Sequence, residues 1–274
     1  MPVHWLRRPA ARRVRPRGRN PMTTTATEES LWVRCFHPAP ERPVQLVCFP
    51  HAGGSASFYF PVSAQLQTTA EVFAVQYPGR QDRRRETSPG DLHTLADQVH
   101  GALRDSLRGH RPTVFFGHSM GATLAFEVAR RHEAQGGRIA HLFASGRRAP
   151  SRVRDEHVHR LSDEQIVEEL KLLAGTDTAL LGDDEILRMI LPAIRSDYEA
   201  IETYRCTPGA TVAAPITVLT GDSDPKTSRD EAESWRDHTS GPFDLHVRPG
   251  GHFFLGSDAP AIIAMLRTVL TASS

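Results

Sequence analysis

No run of 18 or more apolar residues occurs in the chain, so a membrane-spanning helix is excluded on length. Cysteine is scarce. The three, Cys35, Cys48 and Cys206, are odd in number and widely spaced, which suits neither a disulfide framework nor a zinc-ligand set. They are expected to be packing residues in a reducing compartment, so the expected location is cytoplasmic. Lysine is almost missing: only Lys171 and Lys226 stand among 33 Lys and Arg, a skew that reads as coding bias. Acidic residues are absent from residues 1–21, which hold seven of those 33 basic residues. The remainder therefore carries 26 basic against 32 acidic side chains, a net charge of −6.

That basic stretch lacks the apolar core of a secretory signal. We expect residues 1–21 to be a disordered leader or an upstream mis-translation, with Met22-Thr23-Thr24-Thr25 as an ordinary N-terminus. A nucleic-acid or membrane-binding arm is the alternative.

What is present is the makings of one large α/β domain over residues 22–274. Short β-branched or aromatic runs recur between turn formers: Leu31 to Phe36, Val44 to Phe49, Val72 to Gln76, Thr113 to Phe116, His141 to Ala144, Ile216 to Leu219 and Leu245 to Val247. They read as buried strands. Between them lie helical patterns such as Leu92 to Leu107, and this alternation predicts a mostly parallel sheet covered on both faces. From about residue 150 to 214 the rhythm breaks into helices alone. The first opens on Ser162-Asp163-Glu164-Gln165, a capping-box pattern, with Gly175 as its expected stop; the second spans Asp183 to Tyr204, with Pro192 expected to kink or divide it. The apolar content of this insertion predicts a lid whose inner face lines an acyl pocket.

Gly117-His118-Ser119-Met120-Gly121 sits between an apolar run and a helical pattern, the context of a G-x-S-x-G nucleophile elbow in an α/β-hydrolase fold. A serine hydroxyl is a weak nucleophile unless a base lies within hydrogen-bond reach and a carboxylate orients that base. His252, in Pro249-Gly250-Gly251-His252-Phe253-Phe254 after the last strand, is the expected base. His100, His110, His132, His157 and His159 are expected to be solvated, and His118 to turn away from Ser119 and pack. The acid is expected at the end of Ile216 to Leu219, with Asp224 preferred and Asp222 bracing the loop. The N–H groups of Met120 and of Ala52, in Pro50-His51-Ala52-Gly53-Gly54-Ser55, are the expected oxyanion donors. On these residues alone, a carboxylesterase or lipase acting on small oxygen esters, or a non-catalytic binder of carrier proteins, remains the alternative.

Four motifs in order, Pro50 to Ser55, Tyr77-Pro78-Gly79-Arg80, Gly117 to Ala122 and Gly250 to Phe254, make the chain from about Leu31 onward resemble the type II thioesterases of polyketide and nonribosomal peptide assembly lines. The resemblance supports Asp224 and the helical lid. It implies a free-standing editing thioesterase whose substrate is an acyl group on the phosphopantetheine arm of an acyl or peptidyl carrier protein. It also implies a monomer with no metal or cofactor of its own and no nucleic-acid or membrane partner. The arginine-rich leader departs from the family pattern.

Overall fold

The computed structural model describes residues 31–107, 109, 111–173 and 184–274. The leader, His110 and the expected helix stop at Gly175 lie outside these residues. Six strands run parallel: β2 (Gln45–Phe49), β3 (Glu71–Val75), β4 (Thr113–His118), β5 (His141–Ser145), β6 (Ile216–Gly221) and β7 (Phe243–Arg248). The two-residue β1 (Val33–Arg34) pairs antiparallel with β3, and the order across the sheet is β1-β3-β2-β4-β5-β6-β7.

The period-two geometry of a strand sends alternate side chains to opposite faces, and here both faces are covered. Leu46 and Cys48 of β2 pack with α1 (Phe60–Leu66) and α8 (Ala259–Ala272). Val47 and Phe49 pack on the other side with α2 (Leu92–Leu107) and α3 (Met120–Ala134). Every residue of β2, β4 and β6 is buried in consequence. Because the strands are parallel, the loops after β2, β4, β5, β6 and β7 converge at one edge, where open α/β sheets hold their ligands. No described helix is long and apolar enough to cross a membrane.

The edge strands depart from the sequence reading. Leu31 to Phe36 yields only the two paired residues of β1, preceded by helical Leu31 and Trp32. β7 is half-exposed, with Val247 40% accessible, as the last strand of the sheet among the described residues. All three cysteines are free thiols, and Cys48 lies in the core.

Between β5 and β6 the chain leaves the sheet to form α4 (Asp163–Leu173) and α5 (Asp184–Thr203). The expected capping box is present: Ser162 N–H donates to Gln165 Oε1 (3.0 Å) and Gln165 N–H to Ser162 Oγ (3.4 Å). Val158, Ile166, Val167, Leu170, Leu191 and Ile194 give the insertion a small core of its own. Pro192 lies inside α5 without dividing it. Its missing N–H costs one helical bond, and burial of Leu191 and Ile194 on either side holds the helix together across the gap. Two short helices, α6 (Arg229–Glu233) and α7 (Phe254–Ser257), follow β6 and β7.

Ile166 is fully buried between α4 and α5. Ile166→Ala is expected to cost about 2–5 kcal/mol where the cavity cannot collapse, measured by urea unfolding. Cleavage within the insertion under limited proteolysis should rise ahead of global unfolding.

Candidate active site

Ser119 stands between β4 and α3 with φ 54° and ψ −121°, a conformation costing a non-glycine residue on the order of 1–3 kcal/mol. The turn is tight enough to exclude side chains on either flank. A Cβ on Gly117 would lie 2.2 Å from the Gly121 carbonyl oxygen, and one on Gly121 would lie 2.0 Å from the Phe49 carbonyl oxygen. Glycine is thus required at both positions, and the serine side chain is projected from the crest of the turn.

Two loops from later strands meet it there. His252 Nε2 lies 3.1 Å from Ser119 Oγ, and His252 Nδ1 lies 3.0 Å from each oxygen of Asp224. The imidazole and the carboxylate are both buried, Asp224 completely. Lys226 N–H donates to Asp224 Oδ1 (2.8 Å), fixing the carboxylate's turn. Asp222 faces elsewhere: its Oδ1 accepts from Gly250 N–H (3.0 Å) and Ser223 Oγ (3.1 Å), pinning the His252 loop to the end of β6. The structure therefore brings Ser119, His252 and Asp224 together and gives Asp222 the bracing position expected for it.

Ala52 lines the same cavity as Ser119, in the loop that follows β2. Neither its N–H nor that of Met120, the first residue of α3, donates to a protein acceptor among the described residues. Both amides are free to receive a ligand oxygen. The loop is held by buried groups: Tyr59 Oη donates to the Phe49 carbonyl (3.0 Å), Tyr77 Oη to that of Pro50 (3.0 Å), and Ala56 N–H to Gln76 Oε1 (2.8 Å).

The strongest brace was not foreseen from the sequence. Arg80, the last residue of Tyr77-Pro78-Gly79-Arg80, forms a bidentate pair with Asp197 of α5 (2.7 and 2.9 Å), both side chains buried. Arg80 also donates to the Gly54 carbonyl (2.9 Å), and Asp197 Oδ2 accepts from Gly53 N–H (2.8 Å). One ion pair thereby clamps the Ala52 loop between β3's exit and the inserted helix. Gly53 adopts φ 75°, and a Cβ there would lie 2.7 Å from Ile194 Cγ1 of α5. A signal for Asp197 did exist: it interrupts the apolar stripe Leu187, Ile190, Ile194, Ile201 of α5, and a carboxylate on an apolar stripe requires a partner.

Histidines and aromatics wall the site. His118 is fully buried, shares a hydrogen bond with Ser145 Oγ (3.0 Å) and lies 5.3 Å from the His252 ring. It thus packs behind the site, as expected. His51 sits edge-on to Phe58 and Phe253, each 4.8 Å away. Burial pushes His51 down to about 3, helped by the neighbouring His252 and Arg80, and pushes His118 well below the usual imidazole range. His100 and His132, expected in solvent, are buried against one another instead, with ring centroids 6.1 Å apart, and His159 pairs with Glu202 (2.5 Å). In each case a neighbouring helix or loop covers a ring that one-dimensional periodicity could only locate on a helix or in a charged segment.

The cavity over Ser119 measures about 40 Å³, and the insertion contributes Leu170, Leu173, Tyr198 and Ile201 to it. Its wall is less apolar than expected, for Arg147, Glu156, Glu202 and Lys226 also line it. A larger cleft of about 810 Å³, with Arg104, Arg111 and His132 in its wall, opens before β4 and so lies at the opposite end of the sheet from these groups.

The sequence pattern of the family described as "thioesterase domain" matches residues 44–270. A protein of Streptomyces griseus named "Probable cadicidin biosynthesis thioesterase" is 55% identical over 251 residues, covering 92% of this chain and 69% of that protein. Thioesterase PikA5 of Streptomyces venezuelae is 50% identical over 229 residues, covering 83% of this chain and 81% of its own. The solved structure of BorB, a type II thioesterase from the borrelidin biosynthetic cluster, superposes with a TM-score of 0.82 at 51% identity, over 88% of this chain and 98% of that one.

Two outcomes are expected of the braces and walls. Asp197→Ala should cost about 3–5 kcal/mol in urea unfolding, because it strands the Arg80 guanidinium in the interior. His51 is neutral in the folded state down to about pH 3 but takes up a proton below about 6.5 when unfolded. Its contribution to stability is therefore complete above pH 6.5 and lost as pH falls toward 3. Unfolding free energies measured between pH 7 and 4 should decline, and His51→Asn should reduce that slope by up to one proton, about 1.4 kcal/mol per pH unit.

Proposed function

Since this chain belongs to the thioesterase family, hydrolases of thioester bonds with an α/β-hydrolase fold, we propose that it is an editing enzyme of polyketide or nonribosomal peptide synthesis, clearing stalled or wrongly loaded acyl groups from the phosphopantetheine arm of carrier proteins. The observation that carries the reading is the hydrogen-bonded series from Ser119 through His252 to Asp224 beneath the inserted helices.

In this reading, His252 Nε2 takes the Ser119 proton as Oγ bonds to the thioester carbonyl carbon. The carbonyl π electrons move to oxygen, and the Ala52 and Met120 N–H groups receive the resulting charge. A donor of that kind is worth about 3 kcal/mol in comparable sites. Collapse breaks the C–S bond, and the departing sulfur takes the proton from His252. An acyl ester on Ser119 remains. Water then attacks it, losing a proton to His252; the second collapse returns that proton to Ser119 Oγ and frees the carboxylic acid. Asp224, paired with Nδ1, holds the imidazole orientation and stabilises its cationic form in both halves. No step is routed through a metal or redox group.

The cavity of about 40 Å³ leaves little free space beside Ser119, so the inserted helices act as a lid that shifts to admit longer acyl groups. Soluble, partner-seeking chemistry of this kind fits a cytoplasmic protein that meets its carriers by diffusion.

Ser119→Ala should lower hydrolysis of an acyl-carrier thioester by on the order of 10⁶-fold without unfolding the protein, read by mass spectrometry of the carrier. Residual turnover within tenfold of wild type would falsify the assignment. At matched acyl length, the carrier thioester should also be hydrolysed faster than a nitrophenyl ester; the reverse order would favour an oxygen esterase.

A further inference from the structure

The chain leaves β5 through Gly146-Arg147-Arg148-Ala149-Pro150-Ser151-Arg152-Val153-Arg154, and the reaction above uses none of these side chains. Arg147 lines the Ser119 cavity and also a second, smaller groove of about 10 Å³ that carries Arg152 and Arg205. Ile201 and Glu202 are common to both, so groove and cavity share one wall.

The arginines of this groove fall into two groups. Arg148 pairs with Glu156, and Arg154 makes a bidentate pair with Glu231 (2.7 and 2.5 Å), so both are neutralised. Arg147, Arg152 and Arg205 have no carboxylate partner among the described residues. Arg152 Nε donates to Ser234 Oγ (2.8 Å), while Arg205 Nη1 donates to the carbonyls of Glu202 (2.9 Å) and Tyr204 (2.8 Å). Neutral acceptors fix the orientation of these guanidiniums without cancelling their charge. Both side chains are exposed, with further N–H groups left over. The nearest carboxylate of the groove, Glu202, is already engaged by the N–H groups of Val158 (2.9 Å) and His159 (3.2 Å) and by the His159 ring. Preoriented guanidiniums without an ion-pair partner and with spare donors, as at Arg152 and Arg205, are the arrangement that takes a phosphate oxygen. Burial, with Arg148 alongside, also pushes Arg147 down to about 9 against the partial opposing pull of Glu156 and Glu202, and an incoming anion would add to that pull.

We propose that Arg152 and Arg205 bind the phosphodiester at the outer end of the phosphopantetheine arm, with Arg147 meeting the amide carbonyls of the arm on its way to Ser119. This rests on the reading that the substrate is a carrier-bound thioester. The groove then recognises the one charged feature common to every such arm, whatever acyl group it bears.

The test compares one acyl group on pantetheine, on phosphopantetheine and on a carrier protein, using the wild-type enzyme, the double variant Arg152→Ser with Arg205→Ser, and the charge-keeping double variant Arg152→Lys with Arg205→Lys. Wild type should favour acyl-phosphopantetheine over acyl-pantetheine by about tenfold or more in kcat/KM, expressed through KM, as expected for charge-assisted hydrogen bonds in a solvated groove. The serine variant should lose that ratio and the lysine variant should keep most of it. No preference in wild type, or equal losses on both small thioesters, overturns the proposal. A loss confined to the carrier-bound substrate, with the phosphate preference intact, also overturns it and assigns the groove to the carrier's protein surface. Calorimetric titration of phosphopantetheine and pantetheine reads the groove without turnover. If no thioester is hydrolysed while the phosphorylated compound still binds more tightly, the reaction proposed above fails and the groove stands.

Discussion

The turn at Ser119 depends on a contact with no tolerance: the α-carbon of Gly121 rests against the carbonyls of Phe49 and Pro50, where not even a methyl group fits. Those two carbonyls are themselves held by the hydroxyls of Tyr59 and Tyr77. The contact locks the exit of β2 to the start of α3, and with it the Ala52 amide to the Met120 amide. Packed interiors resist displacement on this scale, so the distance between the two donors is fixed before any ligand arrives. The strain at Ser119 is sustained by the same packing.

Around this fixed point the protein keeps positive charge off the rings it does not use. His51 and His118 flank His252 and are neutral through burial. A second imidazolium beside His252 would oppose its protonation halfway through each acyl transfer. The aromatic wall of Phe58 and Phe253 therefore has an electrostatic consequence as well as a packing one: it desolvates His51 and keeps a second positive charge away from the Ser119–His252 contact.

Local patterns were the legible part of the chain. The interior strands declared themselves by β-branched and aromatic runs, and Gly117, Ser119 and Gly121 by the chemistry of a tight strand-to-helix turn. Asp224 could be preferred over Asp222 because its position after the strand allows the loop to swing, and the two carboxylates do divide the work of pairing His252 and bracing its loop. What stayed hidden was long-range. Arg80 and Asp197 are 117 residues apart, and nothing local says that a loop arginine and a helical aspartate will share one buried site. The burial of His100 and His132 and the exposure of β7 likewise depend on which elements become neighbours, and strand order is not written in any single segment. The polar wall of the cavity escaped notice for the same reason, since Arg147, Glu202 and Lys226 come from three separate loops and helices.

The Arg80–Asp197 pair divides the inserted region into unequal halves. From Asp197 onward α5 is bolted to the Ala52 loop and merges through Ala200 and Ile201, with Tyr204 just past its end, into the core of the sheet. Before Pro192, Leu187, Ile190 and Leu191 of α5 pack into the insertion's own core with Val158, Ile166, Val167 and Leu170. The second half of α5 is thus scaffold, and it holds the described start of the insertion as well: Glu202 accepts from the N–H groups of Val158 and His159, and Arg195 pairs with Asp163. Recombination between related enzymes therefore has no clean seam inside α5: a crossover at Pro192 parts Asp163 from Arg195 and His159 from Glu202, and one beyond Asp197 parts the pocket's roof from the guanidinium that anchors the Ala52 loop.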